Sequence, residues 1–445
     1  MKRPFTLRLA SFAIVLLGLL LAAPAAVAKH GSGLDPSSIH PMVFVHGGTG
    51  SGGQFESQKM RFTENGYPAD YVRVFEYDSS FTVDPPAGVQ ARLDAFINQV
   101  KQETGRSQID LLGHSLGTAV SQTYLNSSPS HAANVAHYVN IDGAQAASPP
   151  GGVPTLAIWA GRGTPGRSIG GAINVTVPNQ THVQSATSPE SFAHMFRFFT
   201  GRDPETTDIV PEHGKITIGG RALLFPQNVG VPAGTSLTIW RVKSSSGDRI
   251  AHPVATPALA ADGSWGPVRV QSGKRYEFVL EQQGQFHHFF YEPFRRSDDL
   301  IRLLTNVPGT SFDLILSRSV NHVDLIMVRY KELWGDQGSQ NDVLTVNGTN
   351  VINAATSPIS HRTNAMFAFD RASDGISDTS APIPVFFGLP FLSAVDLFIP
   401  AASPPTGTVR VELTSRGSGP TREVSFPNYP SANNTVTVQL NDFDR

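Results

Sequence analysis

The sequence predicts an α/β domain on a mainly parallel sheet, followed by C-terminal all-β structure of sandwich or barrel type. Three observations carry that prediction. From about Lys29 to Arg202, short apolar runs alternate with segments of helical periodicity, and strands joined by crossover helices pair in parallel with helices on both faces. Past Asp203-Pro204 the helical spacing gives way to short apolar–polar alternation broken by turn residues, the pattern of sandwiches and barrels. Finally, 41 Gly and 33 Pro among 445 residues supply the turns that short strands need.

The elements follow in order. Met1-Lys2-Arg3, an apolar run from Leu9 to Ala23 and Ala26-Val27-Ala28 read as a cleavable secretory signal over residues 1–28, which implies a secreted, extracellular protein, with an uncleaved N-terminal anchor as the alternative. Pro41–Val45 reads as a buried strand entering the glycine loop His46-Gly47-Gly48, and Tyr71–Phe75 as a second strand. Val89, Leu93, Phe96, Ile97 and Val100 recur at helical spacing, with Gly105 as the stop. Ile109–Leu112 is a third strand and Leu116–Leu125 a helix, followed by strands at Tyr138–Ile141, Thr155–Trp159 and Ile173–Val177. A last helix spans Glu190–Phe199, with Ser188-Pro189 as its cap and first-turn proline. Beyond Lys215 the strand-like runs include Ile216–Ile218, Leu237–Trp240, Tyr276–Val279, Phe312–Leu316, Val323–Val328, Val409–Leu413 and Thr435–Leu440. The predicted organisation is a catalytic α/β domain over 29–205, a β-domain over 206–298 and a second over 299–445, with the internal break at Arg296–Asp299.

Composition narrows the function. Without residues 1–28 the chain has 31 basic and 36 acidic residues, a net −5, with no basic footprint for nucleic acid or an anionic membrane surface. Cysteine is absent, which excludes disulfides, thiolate metal sites and a thiol nucleophile. Neither a cofactor nor a metal nor a stable protein partner is indicated.

The chemistry centres on Gly113-His114-Ser115-Leu116-Gly117. The bare pattern is common in glycine-rich chains, but here it follows a strand and opens a helix, the context of a nucleophile elbow. A serine hydroxyl needs a histidine to take its proton, and that histidine needs a carboxylate to fix its tautomer. In chain order the acid and then the histidine follow the serine. Between Asp110 and Glu190 the only acidic residue is Asp142, directly after the strand Tyr138–Ile141; an exposed loop aspartate is the plainer alternative. Two histidines follow. His182 sits in a loop beyond Ile173–Val177, where a base reaches the sheet edge, whereas His194 lies inside the last helix among Phe192, Met195, Phe196 and Phe198. His182 is therefore the predicted base. His114, His131 and His137 read as structural. Oxyanion donors are expected at the backbone N–H of Leu116 and of Gly48 in the first loop. That loop lacks the Gly-Lys-Ser/Thr ending of a phosphate loop.

The blocks Val43–Gly48, Ile109–Gly117, Ile141-Asp142-Gly143 and Thr181-His182 resemble secreted bacterial and archaeal lipases. The arrangement is most similar to Archaeoglobus-type lipases, which pair a small α/β-hydrolase domain with a C-terminal β-domain. The resemblance is specific over residues 41–200 and architectural beyond. It implies hydrolysis of carboxylic esters, often long-chain acylglycerols, with Ser115, Asp142 and His182 as the triad and Gly48 and Leu116 as oxyanion donors. One departure is Gly117-Thr118, where many lipases have a second glycine; Thr118 is expected to loosen helix packing without touching the triad.

Several readings remain open at this level. A short-chain esterase, a polyester depolymerase or an amidase would use the same triad, and a surface-binding protein with an inactive hydrolase domain is the rival of another class. Gly50–Met60 is a candidate lid, because Ala144–Pro150 is short. Phe286–Tyr291 reads as an ordinary buried strand with an acyl-channel wall as alternative, and Pro384–Pro400 as core strand with lipid contact as alternative.

Overall fold

The computed structural model describes Met1 and residues 34–417 and 419–443; the expected signal segment beyond Met1 lies outside the described residues. Strands β1 (Met42–Val45), β2 (Val72–Phe75), β3 (Ile109–His114), β4 (Val135–Ile141), β5 (Thr155–Ala160) and β6 (Ile173–Val177) form one sheet. Its order is β2-β1-β3-β4-β5-β6 and every pairing is parallel. The helices are α1 (Glu56–Glu64), α2 (Pro86–Thr104), α3 (Leu116–Ser127), α4 (Pro129–Ala133), α5 (Gln184–Thr187) and α6 (Pro189–Thr200).

Alternation along the strands divides the core in two, since successive side chains point to opposite faces. Val43 and Val45 pack with Val89, Leu93, Ile97 and Val100 of α2 and Val120 and Tyr124 of α3. Met42 and Phe44 face Phe62 of α1 and Phe192, Met195 and Phe196 of α6. Burying each large side chain contributes about 2 kcal/mol. Helix ends fall where local chemistry dictates. Gly105 ends α2 with φ 67°, a left-handed residue that glycine accepts cheaply, and the Ser188 side chain caps α6 at the Ser191 N–H.

The C-terminal half contains three sheets. Strands β7 (Lys215–Leu224), β8 (Val229–Gly230), β9 (Ser236–Val242), β10 (Ser264–Gln271), β11 (Arg275–Gln282), β12 (Gln285–Tyr291) and β13 (Asp298–Thr305) come first. They are followed by β14 (Leu325–Arg329), β15 (Val343–Val346), β16 (Thr349–Asn350) and β17 (Ala365–Phe369), then a short helix, α7 (Pro384–Phe387). The chain ends with β18 (Leu392–Asp396), β19 (Thr408–Thr414), β20 (Thr421–Pro427) and β21 (Asn434–Leu440). A seven-stranded sheet runs β18-β17-β14-β21-β12-β11-β9, flanked by the small sheets β10-β7-β13, with β8 beside β7, and β16-β15-β19-β20.

The break expected near residue 298 does not separate two hydrogen-bonded units. β13 pairs in parallel with β7, and β12 pairs in parallel with β21, so strands from both sides of residue 298 share sheets. Non-local pairing of this kind leaves no composition shift in the sequence. The run Phe312–Leu316 is not a strand but contains a 3-10 turn at Ser311–Leu314. Its Asp313 carboxylate accepts the Gly309 N–H at 2.6 Å and pairs with Arg318, and such local bonds compete with a ladder.

The two halves meet along α1 and the chain preceding it. Arg302 of β13 reaches Glu76, just past β2, at 2.5 Å with both side chains buried. Lys59 of α1 meets Asp299 at 2.6 Å, and Arg296 pairs with Glu64. Glu56 of α1 and Asp298 of β13 share a hydrogen bond in the same seam. Burial and then the neighbouring Asp298 charge raise the Glu56 carboxyl well above its usual range; burial likewise raises Asp298 to about 6. A raised carboxyl binds more protons folded than unfolded, so the contribution of Asp298 to stability falls as pH rises from about 4 to about 6, then stays flat. For the one proton on Asp298 the fall should approach about 1.4 kcal/mol for each step of one in pH across that window. Asp298→Asn should flatten the decline, measured by urea midpoints between pH 4 and 7; an unchanged slope would remove Asp298 as its source.

Candidate active site

Strand β3 ends at His114, and the chain turns sharply into α3 at Ser115, whose φ is 53° and ψ −121°. For a residue with a Cβ this conformation costs on the order of 1–3 kcal/mol and persists only where the surroundings enforce it. Two glycines enforce it. A Cβ on Gly113 would lie 2.6 Å from the Gly117 carbonyl oxygen, and one on Gly117 would lie 2.2 Å from the Val45 carbonyl oxygen. The turn therefore packs backbone to backbone against the end of β1, which brings the β1 loop to the serine. A Cβ on Gly47 would sit 2.9 Å from Ser115 Cβ, and one on Gly48 would sit 3.8 Å from Leu116 Cδ2. The structure thus gathers Ser115, Leu116 and Gly48. It adds Gly47 as a close neighbour, which nothing in the local sequence distinguishes from the other glycines of its loop.

Asp142 is the first residue after β4, with φ 43°. His182 stands in the loop between β6 and α5. The two loops converge: His182 Nδ1–H donates to Asp142 Oδ2 at 2.6 Å, and both residues are buried. Asp142 Oδ1 accepts the Ala160 N–H at 3.0 Å and Arg167 Nη1 at 2.8 Å. Burial alone would raise the Asp142 carboxyl, but the bond and charge of His182, the Ala160 N–H and Arg167 together hold it below the usual carboxylate range. With Nδ1 committed to Asp142, the free nitrogen of His182 is Nε2, on a ring that lines the same cavity as Ser115, Gly47 and Gly48. His194 lies on α6 outside that cavity, so of the two candidate bases only His182 reaches the site.

His114, His137 and His131 are each held in local bonds. His114 donates from Nε2 to the His182 carbonyl at 3.0 Å and accepts from Gln54 Nε2 at 2.9 Å. Burial first, and the neighbouring His182 ring second, push it down to about 3, so it is neutral. His137 bonds Asp110 at 2.8 Å and His131 bonds Ser127 at 2.6 Å while stacking on Tyr124. Thr118 departs from expectation. Its hydroxyl donates to the Ser115 carbonyl at 2.6 Å and accepts the Ala144 N–H at 2.6 Å. Room for it comes from Gly143, where a Cβ would lie 1.9 Å from Thr118 Oγ1. The threonine therefore ties the elbow to the loop that carries Asp142 instead of loosening the helix.

The cavity over Ser115 encloses about 1080 Å3, counting the part open to solvent. Its far wall is the seven-stranded sheet. Ile326 and Val328 of β14, Thr437 and Gln439 of β21, and His287 and Phe289 of β12 face it, while the alternate residues Leu325, Met327, Val436, Val438 and Phe290 enter the inter-sheet core. Phe286–Tyr291 is thus both a buried strand and a wall of the channel. Phe391 and Leu392 close one side, with the Phe391 ring stacked 6.1 Å from His182. The segment Pro384–Pro400 is accordingly not one core strand but α7 and β18, with Val385 and Leu389 exposed. The candidate lid Gly50–Met60 is largely buried: Gly52 N–H donates to Glu76 Oε1 at 2.9 Å and Ser51 Oγ lies 3.4 Å from Tyr330 Oη.

Three family models match the chain. The class 2 lipase model covers residues 39–137, the lipase C-terminal domain model covers 214–308, and a model described as "-like, C-terminal domain" covers 312–444. None of the curated proteins matches. Among solved structures, a phospholipase from Legionella pneumophila is similar at 10% identity over 62% of this chain and 97% of its own, with a TM-score of 0.25. A Bacillus licheniformis lipase in its propeptide form is similar at 10% identity over 90% and 94%, with a TM-score of 0.30.

Gly117→Ala drives a Cβ into fixed backbone, not into a side chain that can swing away. It should cost about 3 kcal/mol or more, read from the denaturant midpoint; a loss below about 0.5 kcal/mol would show the turn to be looser than described.

Proposed function

We propose that this chain, whose residues 39–137 match a class 2 lipase model and residues 214–308 a lipase C-terminal domain model, is a lipase that hydrolyses long-chain carboxylic esters such as acylglycerols through a Ser115-His182-Asp142 acyl-enzyme mechanism. The observation that carries the reading is the 2.6 Å bond between His182 Nδ1 and Asp142 Oδ2, with the His182 ring and a serine held at a strained turn both lining one mostly apolar cavity. His182 Nε2 takes the Ser115 proton as Oγ attacks the ester carbonyl. Asp142 steadies the imidazolium, and the backbone N–H groups of Leu116 and Gly48 receive the oxyanion. Collapse of the intermediate passes the proton to the leaving alcohol, and water then releases the acid by the same steps.

Chain length follows from the wall. Phe225, Phe289, Leu304, Ile326, Val328 and Phe367 present apolar surface beyond the serine, where each buried methylene of an acyl chain gains about 0.8 kcal/mol. That gain favours long acyl groups over the acetate-sized ones of a plain esterase. The apolar run at Leu9–Ala23 and the Ala26-Val27-Ala28 site support export, so we place the reaction outside the cell.

Initial rates on p-nitrophenyl esters from acetate to palmitate should rise with chain length. Ser115→Ala should lose at least about a thousandfold in kcat; equal rates in the variant would end the serine mechanism. Ile326→Trp fills the cavity in front of β14. It should lower kcat/KM on palmitate about tenfold or more while sparing the acetate ester, and a uniform change across the series would mean that the acyl chain lies elsewhere.

A further inference from the structure

The loop that carries His182 is held from the opposite half of the molecule. Glu332 lies three residues past the end of β14 and is completely buried. Its Oε1 accepts the Val183 N–H at 2.6 Å, and its Oε2 accepts the Gln184 N–H at 3.0 Å and the Thr181 hydroxyl at 2.5 Å. These donors flank His182 on both sides. The N–H groups that open a helical turn have no acceptor within the turn, and here a single carboxylate supplies one. On the other side of the same residue, the His182 carbonyl accepts His114 Nε2 at 3.0 Å and Ser185 Oγ at 2.7 Å. The backbone of His182 is thus fixed by the α/β domain at its carbonyl and by Glu332 at its neighbours.

Glu332 is itself braced. Arg416 Nη1 donates to the Glu332 carbonyl at 2.6 Å and to Asp342 Oδ2 at 2.8 Å, and its Nη2 donates to Gln184 Oε1 at 2.5 Å. Asp342 also takes Arg329 at 2.9 Å, and the Arg416 guanidinium lies 3.8 Å from the Trp334 ring centroid. A charge buried this deeply is costly to keep unless it is hydrogen-bonded, and all three of the bonds to the Glu332 carboxylate come from the turn that bears the histidine.

We infer that Glu332 is a positioning residue for the reaction: a carboxylate from the C-terminal β region that sets the 181–184 turn and, through it, aims the His182 imidazole at Ser115. The inference rests on His182 being the base. Glu332 does not line the acyl cavity, so its loss acts on proton transfer and not on substrate binding. A displacement of about 1 Å at a catalytic group costs about a hundredfold in rate.

The test compares Glu332→Gln, Glu332→Asp, Thr181→Val and His182→Ala in the full chain with a p-nitrophenyl ester. A phosphonate that labels Ser115 provides a second readout, because its reaction also needs the base. Glu332→Gln keeps the volume but turns an NH2 toward donors. It should lower kcat about a hundredfold, leave KM within about threefold, and slow labelling by the same factor as kcat. Glu332→Asp, which keeps the carboxylate, should recover part of that loss. Thr181→Val removes one of the three bonds and should lower kcat by a few-fold to about tenfold, which keeps the inference testable if the Gln variant fails to fold. Wild-type kcat in Glu332→Gln, or in Thr181→Val where the Gln variant does not fold, overturns the inference, as does a loss confined to KM. His182→Ala separates the two levels. If it is inactive while Glu332→Gln is normal, only the positioning role falls; if it is fully active, the triad reading falls and this inference with it.

Discussion

The structure depends first on one steric constraint: the turn from β3 into α3 has no room for side chains at Gly113 and Gly117. Because the Gly117 backbone lies against the carbonyls of Val45 and His46, the serine turn and the β1 loop become a single packed unit. The strained backbone of Ser115 is held by that contact and by Thr118, whose hydroxyl joins the Ser115 carbonyl to the Ala144 N–H. Three loops that are distant in sequence are thereby fixed relative to one another before any substrate arrives. Preorganisation of this kind lets backbone donors act on a developing charge without rearrangement at the moment of reaction.

The second constraint lies at the seam between the α/β domain and the β region. Segments of the α/β domain are buried beside it: Ser51–Phe55, Lys59 of α1, and Thr181–Val183. The seam is polar, with Glu76–Arg302, Lys59–Asp299 and Glu332 all in or beside it. Buried ion pairs add little net stability compared with apolar contacts of the same volume, but breaking one partner is costly, so they favour one docking geometry over its neighbours. That geometry places the outer face of the seven-stranded sheet opposite Ser115 and makes the β region a wall of the reaction chamber. The carboxylate of Glu332 extends that contact to the loop of His182.

Much of this was legible in the chain. The strand–Gly113-His114-Ser115-Leu116-Gly117–helix sequence, Asp142 as the only acidic residue between Asp110 and Glu190, and the loop position of His182 each follow from local spacing and from the order in which the elements occur. Helix stops such as Gly105 and caps such as Ser188 were readable because their causes lie within a few residues. The strand reading failed at Phe312–Leu316, where apolar residues sit in a turn tied by Asp313, and the lid reading failed at Gly50–Met60. Apolar content does not say whether the surface it covers belongs to water or to another domain.

The sequence by itself determined the parallel sheet, the elbow and the identities of the three residues brought together at the candidate site, because turns, helix starts and strand periodicity are short-range properties. Tertiary structure decided the rest. The pairings of β12 with β21 and of β7 with β13 join segments far apart in the chain, and no local pattern encodes a partner at that distance. Whether His287 or His288 would face the cavity depended on strand register, which reverses every side chain on a one-residue slip. Glu332 was invisible for the same reason: it is an ordinary charged residue until folding sets it beneath the loop of His182, where hydrogen-bond geometry alone gives it a place.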